Sequence, residues 1–266
     1  MEKLLKYCLS ICFILFSIKG FTQINCEAIQ DENCKKACKI YNMAEPMQGS
    51  NYSQVAFDYA IELCPNFADA YREKSVPYLK RGDFITWKIL IDKAVEINPK
   101  EHLGYRGWCR FQFLRDYKGA IEDFEKLENL GEDLRFSQNG DYHLTIVKGM
   151  CYAKLGQSKK AIQIIENQLN KKDPILGFYD YYQLGIIYFE QKNYQKALEC
   201  FNKTNPNYEF AENIFYKSKV YKILNDKDNY LKNKNLATKY YTEGKTMRDA
   251  YTHHLNKIYL KEIEEL

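Results

Sequence analysis

The sequence is short of helix breakers: only 6 prolines and 13 glycines occur in 266 residues. That is too few turn formers for a sandwich or barrel of many short strands, so helices are expected to dominate. Zinc-type cysteine pairs are missing as well, since none of the nine cysteines forms a C-x-x-C, the spacing that structural zinc sites use. There is no G-x-S-x-G, no glycine-rich phosphate loop and no H-E-x-x-H, so no catalytic signature is found. Four histidines occur, His102, His143, His253 and His254, and the one adjacent pair would point to different faces of a helix. We therefore expect no metal, no cofactor and no catalysis. The charge balance is nearly even, at +4, which lacks the basic excess that a nucleic-acid binder needs.

Long apolar runs are confined to the start. Cys8–Ile18 is almost unbroken apolar chain behind Lys3 and Lys6, and Lys19–Gln23 returns to polar residues with the small Gly20 and Thr22 among them. The run is shorter than the roughly 20 residues needed to span a bilayer. Residues 1–22 are read as a cleaved secretory signal. The mature chain is then expected in the periplasm or cell envelope, without stable membrane insertion. Gln23-Ile24-Asn25 ahead of Cys26 are not the small residues that precede a lipid-acceptor cysteine. Seven cysteines remain after cleavage, Cys26, Cys34, Cys38, Cys64, Cys109, Cys151 and Cys200. An odd count in an oxidising compartment leaves at least one thiol unpaired.

What the chain has in abundance is aromatic side chains, with 23 tyrosines and 15 phenylalanines, and internal repetition. Pro65 and Pro99, 34 residues apart, each close an apolar helical pattern. The residue before a proline is pushed out of the helical region, so both mark helix ends. Gly149, Tyr152, Gly156 and Ala161 recur as Gly185, Tyr188, Lys192 and Ala197 at a constant shift of 36. Gly107, Gly149 and Gly185 on one side, and Ala120, Ala161 and Ala197 on the other, let paired helices approach closely. Tyr152, Tyr188, Phe124, Phe201 and Ile165 fill the space between them. One hairpin cannot bury its apolar stripe alone, so such hairpins stack on their neighbours.

At these positions the sequence resembles the tetratricopeptide repeat family. The fullest match is Tyr181-x-x-Leu184-Gly185-x-x-Tyr188 followed by Ala197-x-x-x-Phe201. The repeat with Gly149, Tyr152, Gly156, Ala161 and Ile165 follows the same pattern. Another, from Tyr71 to Pro99, carries Trp87 in the small-residue slot, and the one at Gly107–Phe124 has an extra residue between its glycine and its turn Asp116. Weaker units at about 34–65 and 211–236 flank them. The resemblance implies an all-α fold, an α-solenoid of about five to six helix hairpins over residues 34–240. An N-terminal extension, 23–33, precedes it and a segment at 131–141 is inserted. A C-terminal capping helix is expected over 241–266, with Met247, Tyr251, Leu255, Ile258 and Ile263 as its apolar face.

The resemblance also implies a role. In that family the first helices line a concave groove that receives peptide segments. The groove positions here are Trp108, Met150, Tyr179, Tyr182, Ile186, Phe189, Phe215 and Lys219. A non-enzymatic scaffold with an unidentified protein or peptide partner is expected. Two alternatives are an envelope enzyme, or an accessory to one, with its site in the 131–141 insertion, and a self-associating structural solenoid. Carboxylates such as Glu122 and Asp123 are expected on solvated helix faces. An antiparallel first hairpin puts the start of one helix beside the end of the other, so Cys34 or Cys38 is expected to bond Cys64, with Cys26 competing.

Overall fold

The computed structural model describes residues 23–137, 141–204 and 208–266; the expected signal segment, 1–22, lies outside them. Thirteen α-helices make up the described residues, with no β-strand beyond an isolated bridge between Phe136 and His143. The chain divides into two compact units, one ending at Tyr78 and one beginning at Leu79. The boundary falls within a helix, α3 (Ala68–Arg81), directly after Pro77 and Tyr78. A proline inside a helix removes one backbone donor and crowds the preceding turn.

The first unit is built on α1 (Glu32–Ala44) and α2 (Asn51–Leu63), which pack as a hairpin. Their ends are set by capping: the side chains of Asp31 and Ser50 accept the N–H groups of Cys34 and Ser53, which would otherwise lack partners in a first helical turn. Ala37, Tyr41, Ala44, Phe57 and Ala60 form the buried centre. Cys34, in the first turn of α1, is bonded to Cys64, just past the end of α2, across 4.8 Å between Cα atoms. Cys38 pairs instead with Cys26 of the N-terminal extension. Cys109, Cys151 and Cys200 are buried thiols.

The second unit contains α4 (Phe84–Ile97), α5 (Pro99–Cys109), α6 (Tyr117–Asn129), α7 (Leu144–Lys154), α8 (Ser158–Leu169), α9 (Asp180–Glu190), α10 (Tyr194–Lys203), α11 (Ala211–Ile223), α12 (Lys227–Thr242) and the short α13 (Leu260–Glu264). Hairpins α5–α6, α7–α8, α9–α10 and α11–α12 follow one another, each touching the next. One turn recurs between the two helices of a repeat. Arg115, Lys192 and Asn225 take left-handed backbone angles, and the following Asp116, Asn193 and Asp226 each accept the N–H three residues on. A Cβ added at Gly185 would lie 2.4 Å from the Phe201 ring, and one at Gly149 would lie 2.5 Å from Ile165. These glycines are where paired helices meet most closely.

The extra residue in the third repeat is absorbed within its first helix. Arg110–Leu114 winds as a π-helix at the end of α5, and a π-bulge accommodates an inserted residue without ending the helix. Asp123 departs from expectation. It is buried and holds Arg106 through two hydrogen bonds of 3.0 and 2.5 Å, with Arg110 at 3.2 Å. Arg106 reaches Asp92 of α4 as well, at 2.7 Å. Glu122 is exposed as expected.

The capping helix expected over 241–266 is not formed as such. Helix α12 runs on to Thr242, and Gly244 turns the chain with φ +75°. Residues 245–259 are then irregular and only Leu260–Glu264 are helical. Ile258 and Ile263 still pack against Ile214, Phe215 and Ala237. The end of the chain therefore covers α11 and α12 by a different route.

Candidate functional site

Successive first helices of the second unit, α5, α7, α9 and α11, adjoin one another and form a common inner face. Across it lies the chain's own segment 245–257. The segment starts at α11, where the Lys245 carbonyl accepts the Ala211 N–H at 2.8 Å. The Met247 N–H donates to the buried Glu212 carboxylate at 3.1 Å. At the far end Asp249 accepts the N–H groups of Tyr251 and Thr252, at 2.8 and 2.9 Å, a side-chain turn that works against a helix there. The Thr252 hydroxyl donates to the Gln112 carbonyl in the π-helical segment at 3.2 Å. Arg115 donates to the His253 carbonyl, and the Lys80 ammonium stands 4.5 Å from the centre of the Tyr251 ring.

The return leg is gripped by polar side chains. Gln183 donates to the Leu255 carbonyl at 3.3 Å and accepts from the Asn256 side chain at 2.7 Å. The Tyr182 hydroxyl donates to the Asn256 carbonyl at 2.7 Å. His254 is buried against the rings of Tyr142 and Tyr179, with centroids 5.9 and 5.2 Å away, and those two rings also touch each other at 5.6 Å. Its Nε2 lies 3.0 Å from the Arg248 carbonyl. A carbonyl only accepts, so Nε2 carries the proton and Nδ1 accepts from the Tyr142 hydroxyl at 3.4 Å. Burial holds the His254 imidazole below its ordinary pKa and thus neutral, against a backbone hydrogen bond that acts the other way. Lys257 closes the loop by donating to the Met247 carbonyl, 3.8 Å from Glu212. Burial also pushes the Glu212 carboxyl above its ordinary range.

Residues 138–140 of the expected 131–141 insertion lie outside the described residues; residues 131–137 and 141–143 serve this site indirectly. The backbone pairs Ser137 with Tyr142 and Leu144 with Arg135, at 2.9 and 2.8 Å, which delivers Tyr142 to the inner face. A cavity of about 210 Å³ lies between this connection and α5 and is lined by Lys100, Tyr105, Trp108, Arg135 and Phe136. Its charges are paired in part, Lys100 to Glu132 at 2.7 Å. His143 is half-buried. It caps α7 through Nδ1, and burial pushes its imidazole down to about 4. Among the described residues no group of three His, Cys, Asp or Glu side chains could hold a metal ion, and no helix is long and apolar enough to cross a membrane.

Residues 178–204 match the family model described as tetratricopeptide repeat, and they cover the α9–α10 hairpin that carries Tyr182 and Gln183. The chain therefore carries a tetratricopeptide repeat at residues 178–204. Solved structures of the same fold include PilW, a widely conserved type IV pilus biogenesis factor (TM-score 0.63, 17% identity, 78% of this chain and 94% of that one). PilF of Pseudomonas aeruginosa is similar (TM-score 0.59, 13% identity, 80% and 93%). So is YrrB, a tetratricopeptide repeat protein with an unusual peptide-binding site (TM-score 0.50, 21% identity, 71% and 93%). No curated protein sequence matches this chain.

The residues singled out from the repeat pattern fall into three groups. Tyr179 and Tyr182 touch the loop. Trp108 stands behind Tyr142, at 5.8 Å between ring centroids, and Met150 and Ile186 are buried among the helices. Phe189, Phe215 and Lys219 cluster farther along, where the Lys219 ammonium lies 5.3 and 5.4 Å from the two rings. Sequence reasoning missed Gln112, Tyr142, Gln183, Glu212 and His254. For Gln112, Gln183 and Glu212 the available signal was a polar residue on the helix face that a repeat turns inward; Tyr142 and His254 lie outside the helices.

Proposed function

We propose that this tetratricopeptide repeat protein is a non-enzymatic interaction scaffold of the periplasm or cell envelope, whose inner face grips an extended polypeptide segment. The observation that carries the reading is the way segment 245–257 is held. Tyr182, Gln183 and Arg115 bond the backbone carbonyls of residues 256, 255 and 253, groups that every polypeptide offers. Rigid aromatic rings beside such donors suit recognition at small entropic cost. The two disulfides of the N-terminal unit and the apolar leader support export to an oxidising compartment. PilW is described as a pilus biogenesis factor, and an assembly role in the envelope agrees with the present reading.

Phe189 offers the test, since it is half-buried beyond the part covered by the loop. A photo-crosslinking phenylalanine analogue at position 189 should capture a second polypeptide in intact envelopes. Products confined to self-links would overturn the reading.

A further inference from the structure

We propose that residues 245–257 are a displaceable plug, a built-in ligand that must swing away before the inner face can take a partner's segment. The inference rests on the scaffold reading and names how that site is regulated. Three observations support it. Both feet of the loop stand at one residue, with the Met247 N–H on Glu212 and the Lys257 ammonium 3.8 Å from it. This is the form of an Ω-loop, closed at its base and able to move as a body. Its body is held to the helices by polar bonds. Met247 and His254 are buried, but Arg248, Ala250, Tyr251 and His253 are exposed. Hydrogen bonds exchange with water at small net cost, so a segment held in this way opens more readily than packed helices.

The third observation is incomplete satisfaction of two residues that anchor the loop. Gln112 is fully buried, and both of its side-chain amide atoms lack a hydrogen bond among the described residues; Oε1 of Glu212 lacks one too. The loop itself is strained at Asn256, with φ +61°, a conformation that favours glycine. The occupant that fits better is an extended polypeptide presenting successive carbonyls to Arg115, Gln183 and Tyr182, with a flat polar or aromatic side chain against the paired rings of Tyr142 and Tyr179.

A ligand that needs the open state binds more weakly by the fraction of time the site is open. A fluorescein-labelled peptide of residues 245–258 is the probe. The double variant His254→Ala/Asn256→Ala, in the full chain, should bind it at least tenfold tighter than the unaltered chain, and adding Gln183→Ala should abolish the gain. Hydrogen exchange on the unaltered chain guards against misfolding of the variant: amides of 248–256 should exchange at least tenfold faster than those of α7 and α9. Equal protection of loop and helices, or no gain in peptide binding, would overturn the plug. A sealed loop in a chain that still crosslinks a partner through position 189 would leave the scaffold standing. An opening loop in a chain that crosslinks nothing would remove the scaffold instead.

Discussion

Replacing Gly185 with alanine tests the packing that the whole repeat depends on. The added methyl would sit 2.4 and 2.6 Å from two carbons of the Phe201 ring, where an ordinary contact is about 3.5–4.0 Å. The ring has to retreat by about 1 Å, and it is fully buried, flanked by Tyr182 and Tyr216 at 6.1 Å each. Overpacking of this kind costs about 1–3 kcal/mol. Alanine returns about 1 kcal/mol through better helix propensity. The net loss is about 0–2 kcal/mol, a fall of up to roughly 4–8 °C in melting temperature for a chain of this size. Gly104 is the control, because its added methyl would meet only the flexible side chains of Leu144 and Leu127, at 3.3 and 3.5 Å. Gly104→Ala should leave the melt unchanged or raise it slightly. Adding Phe201→Leu to Gly185→Ala should recover part of the loss, as expected of two residues in contact. A Gly185→Ala protein that melts above the parent temperature would refute the reasoning.

Two further outcomes follow from the structure. Burial pushes the Asp180 carboxyl up to about 7, against the N–H donors of Gly177 and His143. The unfolded chain releases this proton near pH 4 and the folded one only near 7, so the group's contribution falls as pH rises between those values and is flat above. Asp180→Asn should therefore gain on the parent by up to about 4 kcal/mol across that window, and parallel stability curves from pH 4 to 7 would disprove it. The Cys34–Cys64 bond closes 30 residues of chain, worth about 3–4 kcal/mol in the unfolded state. Cys34→Ser should lower the denaturation midpoint of the N-terminal unit, and an unchanged midpoint under oxidising conditions would show that the bond is not formed.

The hairpins were legible because their signal is steric. Gly185 and Phe201, or Gly149 and Ile165, can serve one another only if two helices meet at that point, so their spacing encodes the contact as well as the helices. Even the irregularity at Asp116 was visible as one residue too many, although its resolution as a π-helix over Arg110–Leu114 was not. The division of the chain after Tyr78 falls in the repeat that carries Trp87 in place of a small residue and Pro77 inside α3. Both departures could be read in the sequence, and neither announces a boundary. The C-terminal segment was misread for a definite reason. Met247, Tyr251, Leu255 and Ile258 have helical spacing, but a short helix is marginal unless packing supports it. Asp249 takes two backbone donors for a turn, and Glu212, Gln112 and Gln183 supply the remaining partners from helices far away in sequence.

That distant supply also explains why half of the site stayed hidden. Tyr179 and Tyr182 stood out because the repeat pattern already had its rings. Gln183 and Glu212 did not stand out, since a polar side chain on a helix is exposed far more often than buried. Both are buried all the same, and a buried polar group is costly unless it is paired. A face meant only to be sealed is more simply lined with leucine and valine, which ask nothing of the segment above them. Here Gln183 is matched to one carbonyl and one amide of the covering loop, while the side-chain amide of Gln112 lacks a partner among the described residues. A surface that bonds backbone groups, and is only partly satisfied by its own chain, is what the proposed binding role requires of this face.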